Sequence, residues 1–145
     1  MNQILTSLLP LPPIKRIGFE DVKHAIRNQD PKTHIINTLP LGQQTCLLPF
    51  TLPVINEETT INYIMDNQNM NSYQFIIYGK NSVDSTAEQK YKQLVSLGFH
   101  NVFIYMGGMF EWLLLQDIYG DDEFPTTTKV LDILQYRPER TMVKN

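Results

Sequence analysis

The segment Tyr73-Gln74-Phe75-Ile76-Ile77-Tyr78-Gly79-Lys80-Asn81-Ser82-Val83-Asp84-Ser85 decides the architecture. Its first half is an unbroken run of large apolar and β-branched residues without period-two alternation. That is the pattern of a central strand buried on both faces of a parallel sheet. Its second half turns polar at Gly79 and leads into STAEQKYKQLVSLGF, where Ala87, Tyr91, Leu94 and Val95 recur at helical spacing. This spacing predicts a helix of about four turns that Gly98 ends in the C′ position.

The same alternation continues in both directions. Downstream, Asn101–Tyr105 reads as a strand, Gly107-Gly108 as a turn, and Met109–Tyr119 as a helix closed by Gly120. Upstream, Phe19, Val22, Ala25 and Ile26 mark a helix that Asp30-Pro31 stops, and THIIN (Thr33–Asn37) is a β-branched strand. A polar loop with Gly42, Gln43 and Gln44 leads to LLPFTLP, expected to be a short strand, and then to a helix over Glu57–Asp66. A last short helix is expected over Thr128–Tyr136. Strands alternating with helices at this spacing imply right-handed βαβ units, hence an α/β fold with a mostly parallel central sheet and helices on both faces.

At 145 residues the chain is of single-domain size, and 42% hydrophobic content is enough for a core. The net charge of −3 and the absence of a Lys/Arg block argue against nucleic acid as a partner. No apolar run is long enough for a membrane span. The single cysteine, Cys46, allows no disulfide within the chain, and the 3 histidines lack ligand-like spacing, so no metal and no cofactor is expected. A reducing, intracellular home follows from these features. Residues 1–15 read as an extended Leu/Pro-rich arm suited to docking on a neighbouring subunit, 16–120 as the folded domain, and 121–145 as an extension.

Three elements in order, Gly98-Phe99-His100-Asn101-Val102, Gly107-Gly108 and Trp112, resemble the rhodanese-like domain family in the region from Arg16 to Gly120. The resemblance implies a three-layer domain whose active-site loop follows the central strand and carries a nucleophilic cysteine. Here Gly79 stands where that cysteine is implied. Asp84 holds the place of the arginine that commonly closes the loop. Asn37 and Leu39 replace the aspartate and arginine of the earlier strand, and Thr45 aligns near the histidine of the family's "GHIPGA" segment. Sulfur transfer needs a thiolate, which glycine cannot supply, and the phosphatases and arsenate reductases of this fold family need the same cysteine.

The loop Gly79, Lys80, Asn81, Ser82, Val83, Asp84, Ser85 is therefore read as degenerate, with no catalytic residue. A carboxylate at Asp84 suits a helix N-terminus, and Ser85-Thr86-Ala87-Glu88 fits a capping box. Both would satisfy the helix end from within. The alternative is that Lys80, Asn81 and Ser82 still bind a small anion. Cys46, in an apolar run, reads as a buried hydrophobe rather than a residual sulfurtransferase nucleophile.

On the helix Met109–Tyr119, Phe110, Leu113, Leu114 and Ile118 fall on one side and Trp112, Leu115 and Tyr119 on the other. Only one side can dock on the sheet. Trp112, Leu115 and Tyr119 form the candidate surface for a protein partner, unless the arm or the final helix covers them. The functional expectation is a non-enzymatic adaptor or structural component. The stretch GGMFEWLLLQDIYG is also similar to rhodanese-like sequences of large DNA viruses and protists, which implies a virus-particle component as one such role.

Overall fold

The computed structural model describes residues 13–142. Four strands form one all-parallel sheet in the order β1-β4-β3-β2: β1 (Arg16–Ile17), β2 (Thr33–Asn37), β3 (Gln74–Tyr78) and β4 (Val102–Tyr105). Helices α1 (Phe19–Asn28), α2 (Val54–Asn67), α3 (Ser85–Ser96) and α4 (Gly108–Tyr119) cover both faces. This is the expected three-layer α/β arrangement. Among the described residues, no helix is long and apolar enough to cross a membrane.

Two cores lie back to back because strand side chains alternate. Ile35, Ile76, Tyr78 and Tyr105 point to the side of α1 and α4, where they meet Val22, Ile26, Met109, Trp112 and Leu113. Ile36, Phe75, Ile77, Val102 and Ile104 point to the side of α2 and α3, against Ile64, Ala87, Tyr91 and Leu94. The non-alternating run Phe75–Tyr78 is thus apolar because both of its faces are covered.

Register brings the strand ends to one level. Asn37 pairs with Tyr78, Tyr78 with Tyr105 and Tyr105 with Ile17. The loops that follow all emerge along one edge. The adjacent strands β3 and β4 send their helices to opposite faces, and that divergence opens a crevice at the carboxyl end of the sheet.

Several expectations need correction. LLPFTLP is not a strand: it makes one bridge, Ile35 to Thr51, and Leu52 N–H donates to Ile35 O at 2.7 Å. Prolines at 49 and 53 leave too few donors for a ladder, yet these contacts cover the open edge of β2. Helix α2 starts at Val54, earlier than expected, with Pro53 at its N-cap. The expected helix Thr128–Tyr136 shrinks to a 3-10 turn, Ile133–Tyr136. Thr127 N–H donates to Leu47 O at 2.9 Å and Thr128 Oγ1 to Thr45 O at 2.9 Å, holding this stretch extended against the β2–α2 connection. The two-residue strand β1 is too short to carry a periodic signal in the sequence. The arm itself falls outside the described residues except for Pro13 to Lys15, of which Ile14 packs on the second core.

The C-terminal extension closes the α4 side. Trp112 is fully buried, stacks edge-on against Phe124 at 5.1 Å, and donates its Nε1–H to Pro125 O at 2.9 Å. Gln116 Nε2 reaches Phe124 O at 2.8 Å, and Tyr136 is buried in the same core. Trp112 therefore cannot serve as an exposed partner surface. Its side of the helix is covered within the chain, Leu115 is half-buried there, and of the three candidates Tyr119 alone stays exposed.

Two measurements follow. Trp112→Ala should lower the urea unfolding free energy by about 3–5 kcal/mol, since it opens a large cavity and orphans a carbonyl. His34 lies stacked on Tyr73, and burial lowers its pKa from the usual 6.5. A depressed folded pKa means that the unfolded state takes up the proton first as pH falls. Stability should be fullest above pH 6.5 and decline below it, and His34→Gln should flatten that decline in a pH series of melts.

Candidate functional site

The loop from Gly79 to Asp84 sits in the crevice between the amino ends of α3 and α4. Such helix ends offer unpaired N–H groups and the positive end of a dipole, so they normally attract an anion. Here the anion is built in. Asp84 is the N-cap of α3; its Oδ1 accepts from Thr86 N–H at 3.0 Å and from Thr86 Oγ1 at 2.8 Å. Its Oδ2 accepts from Lys80 N–H at 3.0 Å. One carboxylate thus closes the loop on the helix. The expected capping box is replaced by this arrangement: Ser85 is the first helical residue, and Glu88 faces Arg16 at 3.9 Å.

The same carboxylate fills the space a side chain at position 79 would need. A β-carbon on Gly79 would lie 2.7 Å from Asp84 Oδ2 and 3.0 Å from Thr38 Oγ1. Thr38 was not singled out from sequence. Its hydroxyl lies 2.9 Å from Thr86 Oγ1, extending a hydroxyl chain to Asp84. No sequence signal marks Thr38, because its partner lies 48 residues away and only the β2–β3 pairing brings them together.

Two further donors of the loop are also engaged. Val83 N–H donates to Asn81 Oδ1 at 3.1 Å and Asp84 N–H to Asn81 O at 3.3 Å. The amino end of α4 is answered by loop carbonyls: Met109 N–H to Gly79 O at 3.0 Å and Phe110 N–H to Lys80 O at 2.8 Å. This close approach needs Gly108, whose φ is +64° and whose β-carbon would meet Gly79 O at 2.6 Å. Asn81 is buried and donates its Nδ2–H to Tyr136 O at 2.9 Å, so the C-terminal extension is latched to the loop. Lys80 is half-buried, while Ser82, Val83 and Ser85 are exposed at the rim. A hollow of about 120 Å³ flanks the loop and is lined in part by Asp84 and Glu88, whose carboxylates disfavour an anion.

Cys46 lies elsewhere, beneath the C-terminal extension. It is fully buried, and its Sγ donates to Thr128 O at 3.3 Å. The hydroxyl of nearby Tyr78 accepts from Leu48 N–H at 3.1 Å and lies 2.8 Å from Thr51 Oγ1, and burial pushes its pKa well up. These are packing and hydrogen-bond roles. His100 is exposed on the far side of the sheet, and its carbonyl accepts from Lys15 Nζ at 2.8 Å. Among the described residues, no group of three or more His, Cys, Asp and Glu side chains is arranged to hold a metal ion.

Comparison with known proteins bears on the same segment. No curated protein sequence matches the chain. Solved structures do. The BH2092 protein of Bacillus halodurans matches with a TM-score of 0.56 at 17% identity, over 82% of this chain and 80% of that one. The single-domain sulfurtransferase RDL2 of Saccharomyces cerevisiae matches with a TM-score of 0.54 at 15% identity, over 77% of this chain and 98% of that one. The rhodanese-like domain of the Anabaena Alr3790 protein matches with a TM-score of 0.53 at 17% identity, over 93% of this chain and 91% of that one. At such identities the likeness shows a shared fold. The family model described as the rhodanese-like domain matches residues 32–115, from the start of β2 into α4, and so spans both the loop and the strands that carry it. More than half of the chain lies within that match, and the chain belongs to the rhodanese-like domain family.

Proposed function

We propose that this chain is a non-catalytic member of the family, acting inside the cell as a protein-binding adaptor or structural component, with a virus particle among the assemblies it could serve. One observation carries the first half of this reading: the Asp84 carboxylate fills the space beside Gly79 and accepts from the N–H groups of Lys80 and Thr86. A sulfurtransferase loop has to hold a thiolate and then a transferred sulfur on free N–H groups at a helix end. Here a fixed negative charge stands in that position, with no thiol beside it. Cys46 offers no substitute, because it is sealed beneath the C-terminal extension.

The binding half of the reading draws on surface that the fold leaves uncovered. Tyr119 (64% exposed) and Ile118 (69%) lie at the end of α4, and Leu114 is partly open on the same helix. Apolar side chains held in water on a rigid helix are suited to a partner's contact. The net charge of −3 and a sequence without a Lys/Arg run favour a protein partner over nucleic acid.

Thiosulfate–cyanide sulfurtransferase assays test the catalytic half directly. The natural chain and Gly79→Cys should both be inactive, the latter because its thiol meets the Asp84 carboxylate. Sulfur transfer by the natural chain, with one added sulfur on Cys46 by intact mass, would overturn the reading in favour of an atypical sulfurtransferase. Millimolar sulfate should leave the melting temperature unchanged, whereas a rise would restore the anion-sensor reading. Asp84→Ala should cost about 1–2 kcal/mol in urea unfolding, because it removes the cap of α3 and orphans the N–H groups of Lys80 and Thr86.

A further inference from the structure

The side of the sheet that faces α1 and α4 is not fully roofed by the described residues. On the flank of α1 a groove of about 400 Å³ stays open. Its floor is Ile17 of β1, Phe103 of β4 and Ile76 of β3, and Ala25 of α1 forms its wall. It ends at Gln74 and Thr33, the first residues of β3 and β2, so it crosses all four strands, a width of about 14 Å at the usual strand spacing. Ile17, Ala25 and Phe103 are only partly buried, which leaves apolar surface facing water. The groove lies toward the amino ends of the strands, whereas the small-molecule sites of parallel α/β sheets lie beyond the carboxyl ends.

The chain enters at the rim of this groove. Lys15 O accepts from Ile104 N–H at 2.9 Å, so backbone contact with β4 is already made at Lys15. The Lys15 side chain lies on the groove side of the sheet. Its Nζ is 5.7 Å from the centre of the Phe103 ring and donates to His100 O at 2.8 Å. Residues 1–12 therefore join the described chain at the amino end of β4, beside the groove floor. Ile4, Leu5, Leu8, Leu9 and Leu11 among them are large aliphatics, and none of the 12 carries a charged side chain. Pro10 and Pro12 disfavour a helix and suit an extended backbone, which at about 3.1 Å per residue reaches about 37 Å, more than twice the width of the groove.

We infer that the groove is the seat of the chain's own arm, with residues 4–11 laid across the strands and their leucines on Phe103, Ile76 and Ile17. Docking removes two apolar surfaces from water at once, the floor of the groove and the aliphatic side chains of the arm. The tether decides between occupants: an arm rooted at the rim meets the groove at an effective concentration on the order of millimolar, well above that of a free segment or a second copy. Charge agrees. Asp21 and Asp30 line the groove, and an arm without charged side chains brings neither repulsion nor an unpaired charge to bury. Asn28, Thr33 and Gln74 edge it with neutral donors and acceptors for the arm's backbone. An arm held in this way is not offered to a neighbouring subunit, so contacts within an assembly fall to other surfaces. This inference goes beyond the proposed function and does not depend on it.

Nuclear Overhauser spectra of the isotope-labelled full chain provide the test. Methyl groups of at least one of Leu8, Leu9 and Leu11 should show contacts to the Phe103 ring. In a sample mixing labelled and unlabelled chains, those contacts should stay within one chain. The double variant Leu8→Asp, Leu9→Asp should shift the backbone amide resonances of Ala25, Ile76 and Phe103 and leave that of Tyr63, on α2 across the sheet, in place. It should also lower the melting temperature by about 5 °C. Leu131→Asp, at a position 93% exposed, should leave the melting temperature unchanged. Arm leucines without contact to Phe103 would overturn the inference, as would a double variant that melts with the natural chain. Contacts that pass only between labelled and unlabelled chains would overturn it too, by giving the groove to the arm of a second copy.

Discussion

Everything at the carboxyl edge of the sheet depends on one carboxylate. Asp84 accepts hydrogen bonds from Lys80 N–H on one side and from Thr86 N–H on the other, so it is both the cap of α3 and the lock of the preceding loop. A helix end brought to a crevice must have its N–H groups satisfied, whether by a ligand or from within. In this chain the internal solution has been taken, and a side chain at position 79 would have to displace the Asp84 carboxylate. The glycine at position 79 and the cap at Asp84 therefore belong to one packing arrangement.

That lock is reinforced from two directions. The amino end of α4 packs onto the carbonyls of Gly79 and Lys80, an approach that only a residue without a side chain permits at Gly108. The C-terminal extension then binds Asn81 through the carbonyl of Tyr136 and covers Trp112 with Phe124 and Pro125. A segment beyond the family match thus stabilises both the loop and the core under α4. It also removes from solvent the tryptophan that helical periodicity alone would offer to a partner.

The strands and helices of the βαβ units were legible in sequence because their signals are local. Phe75–Tyr78 has to be buried on both sides, Ala87, Tyr91 and Leu94 share one helical face, and Gly98 and Gly120 adopt the positive φ that ends a helix. Asp84 as a helix cap was legible for the same reason. The misreadings share a different character. Residues 128–132 have enough apolar spacing for a helix, but Thr127 and Thr128 are held extended by carbonyls more than 80 residues away in the chain. The segment Leu47–Pro53 has strand composition, yet its prolines leave a single bridge to Ile35.

The sequence by itself determined the α/β class, a glycine at the end of the central strand and a carboxylate at the start of the following helix. These rest on residue type and short-range spacing, and the significance of Gly79 rests on the resemblance to the family. Only the tertiary structure decided which face of α4 is covered, that Thr38 lies against the loop, and that Ile17, Ile76 and Phe103 floor one groove. Those relations depend on strand pairing and on where distant segments pack. A hydrogen bond between Thr38 and Thr86 or between Asn81 and Tyr136 leaves no periodic trace in the residues between its ends.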